Sequence, residues 1–179
     1  VPVGFRERMA QANVLSYRVL FFEREEASEN ADGGDGFLPP ERYPELAMAV
    51  AGSHDLPTLR GWWEGRDIDL RERLGAYPAP GEAERLRAAR GRDRELLLAA
   101  LRREGLLAAA GTTDAPPDIE RLALAVHAFL ASTPSLLALL QVDDLAGESE
   151  PVNLPATSSE HPNWRRRQAL TLKELADSP

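Results

Sequence analysis

The chain has 179 residues, 43% of them hydrophobic, with 21 Lys and Arg against 29 Asp and Glu for a formal net charge of −8. That length supports one sizeable core, and the acidity weighs against DNA, RNA or anionic lipid as the main partner and favours a neutral polar ligand. Zero cysteines exclude disulfides, zinc thiolates, iron–sulfur clusters and a Cys nucleophile, and no apolar run approaches the roughly 20 residues of a membrane span.

The opening residues, Val1-Pro2-Val3-Gly4, hold neither an initiator Met nor a signal-peptide pattern, so a cytoplasmic chain cut from a longer one is expected. Phe5, Met9 and Ala12 recur at helical spacing and predict the end of an amphipathic helix. The nearly continuous apolar run from Val14 to Phe22 predicts a strand covered on both faces, as in a parallel sheet. From Arg24 to Arg42 the chain turns acidic and glycine-rich, with Asp32-Gly33-Gly34-Asp35-Gly36 and then Pro39-Pro40, which predicts a long surface loop. Leu46 to Gly52 reads as a second buried strand.

A helix is predicted from Leu56 to Glu64, with Pro57 in its first turn and Asp55 just before it. Two more follow, Ile68 to Leu74 and Glu82 to Glu104, each stopped by glycine. After Pro116-Pro117, Asp118 begins a helix that aligns Ile119, Leu122, Val126, Phe129 and Leu130 on one side and ends before Pro134. Leu136 to Val142 is a third apolar run, and Thr171-Leu172-Lys173-Glu174 has the capping-box form for a short final helix. Strands separated by helices predict an α/β architecture. A complete (β/α)8 barrel needs about 250 residues, so if the chain belongs to a barrel, only its last three strands are here.

Three groups of residues are candidates for chemistry. Ser53-His54-Asp55 directly follows a buried strand, where α/β folds bind ligands, although Asp55 also suits a helix cap and His54 a backbone carbonyl. The segment Pro151-Val152-Asn153-Leu154-Pro155-Ala156-Thr157, continuing to His161-Pro162-Asn163-Trp164-Arg165-Arg166-Arg167, offers amide, hydroxyl, indole and guanidinium groups suited to sugar hydroxyls. Packing as a proline-rich loop is its plain alternative, and the three arginines read as a salt-bridged surface rather than a nucleic-acid patch. Gln141, Asp143 and Asp144, like Glu23 and Glu25, follow strands and either bind a polar ligand or stay structural. His127, among apolar neighbours on its helix, reads as packing or surface.

Taken in order, Leu15-Ser16-Tyr17-Arg18-Val19-Leu20, Phe37-Leu38-Pro39-Pro40-Glu41-Arg42-Tyr43-Pro44, Ser53-His54-Asp55-Leu56-Pro57-Thr58-Leu59 with Gly61-Trp62-Trp63, and Val152-Asn153-Leu154-Pro155 with His161-Pro162-Asn163-Trp164-Arg165-Arg166 resemble the C-terminal part of the amylomaltases. These are bacterial 4-α-glucanotransferases, or disproportionating enzymes. The resemblance implies that residues 1–179 are part of a (β/α)8 barrel of the α-amylase clan, holding strands six to eight with helical insertions. It implies a retaining transfer of an α-1,4-glucan segment to the 4-hydroxyl of glucose or another maltooligosaccharide, with no cofactor and no metal. Such chemistry uses an Asp nucleophile and a Glu acid/base about 5–5.5 Å apart.

In this family a third carboxylate follows the seventh strand in a His-Asp pair, and Asp55 with His54 match it. Asp55 would stabilise the transition state, and Asn153, Pro155, Thr157 and Trp164 would line the sugar. The nucleophile and the Glu-Asp-Leu-Gly-like acid/base motif match nothing here. The expectation is therefore an inactive piece whose partners are maltooligosaccharides, a glucose acceptor and the missing N-terminal part of the enzyme, with no nucleic acid or membrane. Two departures stand out: Ala156 where the family usually has Gly in Asn-Leu-Pro-Gly-Thr, and Gly52-Ser53 in place of a small or β-branched residue plus Thr. The alternative functions are a non-catalytic maltodextrin-binding remnant and a helical interaction domain using Glu82 to Glu104. Three strands of a closed barrel would also leave open edges and uncovered apolar surface.

Overall fold

The computed structural model describes residues 2–25, 36–108 and 117–177. The chain divides into two units, the first formed by Val1–Ala51, Leu96–Pro116 and Leu124–Leu140, the second by Gly52–Glu95, Pro117–Ala123 and Gln141–Pro179. The helices are α1 (Phe5–Gln11), α2 (Leu59–Glu64), α3 (Arg66–Arg73), α4 (Glu82–Arg103), α5 (Ile119–Ala131), α6 (Val142–Leu145) and α7 (Leu172–Asp177). The strands are β1 (Ser16–Val19), β2 (Ala47–Val50) and β3 (Leu137–Leu139). None of the described helices is long and apolar enough to cross a membrane.

The first unit holds one sheet of order β1-β2-β3, parallel throughout, with Ser16 opposite Ala47 and Val50 opposite Leu139. Ala47, Ala49 and Val50 are buried on β2, the strand of the three that pairs along both edges. Leu97 and Leu101 on α4 and Val126, Phe129 and Leu130 on α5 are buried at helical spacing, as the periodicity predicts. His127 is buried on α5, in line with packing.

Coverage of β1 differs from expectation, and β3 is likewise exposed. Tyr17 is exposed, and Leu137 and Leu139 are 47% and 46% exposed, so these runs are not covered on both faces. Among the described residues each of these strands has one paired edge only, and Tyr17, Met48 and Leu137 form a row across the same face. The apolar run beginning at Val14 also leaves the strand at Leu20, where Leu20–Phe22 closes into a 3-10 turn. Between β1 and β2 the described residues hold 3-10 turns rather than α-helices, the second at Pro40–Arg42.

The loop expected from Arg24 to Arg42 has a closed stem. Arg24 and Phe37 form an antiparallel bridge, Glu25 N–H donates to Gly36 O, and the Arg24 guanidinium lies 3.8 Å from the Phe37 ring centre. Residues 26–35 of that loop, including Asp32 to Asp35, lie outside the described residues. Glu23 pairs with Arg18 at 3.2 Å and Glu25 with Arg42 at 3.4 Å, so both acids serve structure. Burial, aided by the Glu23 charge, pushes the Tyr43 phenol far above its ordinary range.

In the second unit, α2 and α3 meet at Gly65, which takes a left-handed turn with φ 81°. Arg90 clamps this corner: it donates to both Asp67 oxygens at 2.8 Å, donates to Trp62 O, and lies over the Trp62 ring. A planar guanidinium suits that bidentate, stacked position. The capping box at α7 is formed as predicted, with Glu174 N–H donating to Thr171 Oγ1 and Thr171 N–H to Glu174 Oε2.

Candidate functional site

Shortly after the carboxyl end of β2 the chain makes a tight turn through Ser53, His54 and Asp55. Leu56 N–H donates to Ser53 O at 3.0 Å and Asp55 N–H to Ser53 Oγ at 3.2 Å. A hydroxyl at this place holds the turn, a role that either Ser or Thr can fill. Helix α2 begins at Leu59, not near Leu56, and Asp55 is not its cap. Thr58 caps it instead, its hydroxyl accepting from Gly61 N–H at 3.0 Å. The buried Asp144 carboxylate, at 2.7 Å, satisfies Leu59 N–H as well. Pro57 thus precedes the helix rather than opening it.

Released from capping, Asp55 faces solvent: the His54 and Asp55 side chains are 58% and 52% exposed. Asp55 Oδ1 accepts from Asn153 Nδ2 at 2.6 Å and lies 3.5 Å from His54 Nε2. One oxygen is therefore oriented from within the protein, and among the described residues Oδ2 receives no hydrogen bond. The His54 ring lies beside the Trp164 indole, with ring centroids 5.2 Å apart and planes tilted by 48°. Trp164 is exposed, so the pair presents an aromatic surface next to a carboxylate. Such a surface accepts hydroxyl donors on its acid and stacks C–H faces on its indole.

Trp164 holds a left-handed backbone with φ 61°, and Ala156 another with φ 67°. The latter is the conformation for which glycine is the least strained residue, so the departure at Ala156 singled out by the resemblance falls on a position that holds a positive φ. Thr157 donates its hydroxyl to Leu154 O at 2.6 Å and accepts from Asn163 Nδ2 at 2.9 Å. Pro155 lies in the same loop, exposed.

The acids after β3 do not join this surface. Asp144 serves α2, and Asp143 accepts from Arg166 at 2.6 Å and from Gln168. Arg166 also pairs with Glu148 at 3.0 Å, so within the arginine run it is a salt-bridged residue, while Arg165 and Arg167 are exposed. Gln141 Oε1 lies where a side chain at Gly52 would be, 3.1 Å from a Cβ placed there. Two contacts carry no local signal in the sequence: the Asn153 amide on Asp55, a link across 98 positions, and the His54 ring beside Trp164. The Ser53 turn was open to detection from its spacing of two residues to Asp55.

The chain matches the family model described as 4-alpha-glucanotransferase over residues 1–171. It is 38% identical over 160 residues to a 4-alpha-glucanotransferase of Mycobacterium tuberculosis, covering 89% of this chain and 21% of that protein. It is 32% identical over 183 aligned residues to one of Haemophilus influenzae, covering 96% of this chain and 24% of that protein. The chain thus spans between a fifth and a quarter of the length of these curated relatives. Its fold is similar to amylomaltase from Corynebacterium glutamicum, with TM-score 0.85 and 26% identity over 99% of this chain and 26% of that one. Amylomaltase from Streptococcus agalactiae, solved in complex with acarbose, shares the fold at TM-score 0.54 and 18% identity over 98% of this chain and 28% of that one. With 171 of its residues matched by the family model, the chain belongs to the 4-alpha-glucanotransferase family.

Proposed function

We propose that this chain is the part of a 4-alpha-glucanotransferase that carries the third carboxylate, Asp55, on strands six to eight of a (β/α)8 barrel. The parallel order β1-β2-β3 is the order consecutive barrel strands would take, and the exposed row through Tyr17 and Leu137 is what an interrupted barrel would expose. The observation that carries the reading is the Asp55 carboxylate, fixed through Oδ1 by Asn153 at 2.6 Å while facing solvent beside His54 and Trp164.

In this reading the sugar at the cleavage point donates ring hydroxyls to Asp55 and accepts from His54. As that ring flattens toward an oxocarbenium ion, its hydroxyls become better donors, so the same bonds tighten in the transition state. Asn153 and Trp164 border the sugar, and Pro155 and Thr157 shape the loop that presents them. The nucleophile and the acid/base that complete a double displacement match no motif in these residues. The isolated chain is then a maltooligosaccharide binder without turnover, and a glucan segment moves to a 4-hydroxyl acceptor only in a longer protein.

The test is to incubate the purified chain with maltotriose, and to titrate maltotriose into the chain and into Asp55→Asn by calorimetry. The reading expects no glucose and saturable binding weakened in the variant. Release of glucose with longer maltodextrins would overturn the inactivity, and binding equal in both proteins would remove Asp55 from the sugar.

A further inference from the structure

We infer that Asn163 is a positioning residue of the sugar-binding surface, acting through Asn153 on Asp55 and through Trp164 on His54. The inference deepens the reading above and rests on it. Both Asn153 and Trp164 reach their partners from irregular backbone, because no helix or strand runs between Pro151 and Arg167. Residues on such a segment keep a fixed direction only if hydrogen bonds outside regular structure hold their backbone.

Asn163 supplies those bonds. Its Oδ1 accepts from Leu154 N–H at 2.8 Å, and its Nδ2 donates to Thr157 Oγ1 at 2.9 Å and to Thr157 O at 3.3 Å. A backbone N–H only donates, so the amide oxygen faces Leu154 and the NH2 faces Thr157. The Thr157 hydroxyl passes the constraint on, donating to Leu154 O at 2.6 Å. Leu154, whose side chain is buried, thereby has its N–H and its C=O both tied, and Asn153 is the residue just before it. Trp164 N–H donates to Val152 O at 2.9 Å and closes the clasp on the other side of Asn153.

The same amide precedes Trp164, which carries φ 61°. A bulky residue keeps that backbone only where its surroundings over-determine it. Asn163, tied on both ends of its side chain, is the neighbour that does so. An alanine has neither bond, and an aspartate loses the donor to Thr157.

The experiment follows the 179-residue chain by NMR at the Asn153 side-chain amide, which reports the bond to Asp55, and at the His54 ring protons, which report the Trp164 ring. In Asn163→Ala both sets are expected to move toward free-chain positions while the amides of Ala47 and Ala49 in β2 stay in place. The maltotriose dissociation constant is expected to rise up to ~10-fold, the order of one lost hydrogen bond. Combining Asn163→Ala with Asn153→Ala should cost less than the two singles added together, because one of the two routes from Asn163 runs through Asn153. Unmoved Asn153 and His54 signals, or strictly additive losses, would overturn the inference. If the β2 amides report that Asn163→Ala has not folded, Thr157→Val and Thr157→Ser decide by the same signals. Valine should shift them and serine restore them, and identical spectra for the two would overturn it. A wild-type chain that fails to bind maltotriose would count against the sugar reading alone, since the NMR signals judge the positioning without ligand.

Discussion

Ala156→Gly is the substitution for which the structure predicts a gain. Ala156 sits at φ 67°, where a Cβ crowds the following carbonyl and costs about 1–2 kcal/mol relative to right-handed backbone. Glycine removes that cost but gives the unfolded chain more freedom, worth about 0.4–1 kcal/mol in the opposite sense. The difference is a net stabilisation centred on about 0.8 kcal/mol. Because Ala156 lies between Leu154 and the Thr157 that bonds it, the gain should appear as slower opening of this loop. At 1.4 kcal/mol per factor of ten, hydrogen exchange of Leu154 N–H, bonded to Asn163 at 2.8 Å, should slow about two- to fivefold. For a chain of this size the melting temperature should rise by about 1–4 °C. Asn13, also at positive φ with 54°, is the control: asparagine tolerates that region, so Asn13→Gly should change little. Unchanged or faster exchange at Leu154 in Ala156→Gly would refute the argument that this turn is strained by its side chain.

Two other glycines should respond to alanine with opposite signs. A Cβ at Gly61 would stand 2.5 Å from Ser149 O, so Gly61→Ala should destabilise by about 1–2 kcal/mol in urea titration despite the better helix propensity, whereas Gly91, with nothing near it in α4, should gain up to ~1 kcal/mol. Asp144→Ala should cost about 1–3 kcal/mol by the same measurement, because Leu59 N–H loses its 2.7 Å acceptor in a buried place. Hydrogen bonds from Thr171 hold the Glu174 carboxyl below its usual range, so its support of α7 is present above the unfolded value and lost as pH falls through the folded one. Acidification through the carboxylate range should therefore lower the protection factor of Thr171 N–H, measured against the intrinsic exchange rate at each pH, and Glu174→Gln should abolish that pH dependence.

Local chemistry made much of this fold readable in advance. β2 was legible because Ala47 to Val50 is apolar without interruption and bounded by turn formers, and α5 because its buried leucines, valine and phenylalanine keep a 3.6-residue period. The start of α2 was not, since Asp55 and Thr58 are both good caps a few residues apart, and only Asp144, reaching Leu59 from 85 positions away, decides between them. The leucines of β3 look like core in sequence because periodicity reports what a strand offers and not what covers it. At the candidate site, the residue types and their two segments were legible. Their meeting was not, because the Asn153 to Asp55 bond and the His54 to Trp164 contact depend on backbone that no propensity specifies.

The account stands most directly on where a sugar settles. Titrating maltotriose into the isotopically labelled chain and mapping the shifts of its amides and side chains would locate it. Saturable changes centred on His54, Asp55, Asn153 and Trp164, absent in Asp55→Asn, are the predicted result. Changes centred elsewhere, or no saturable change at all, would contradict the assignment of Asp55 as the sugar's carboxylate.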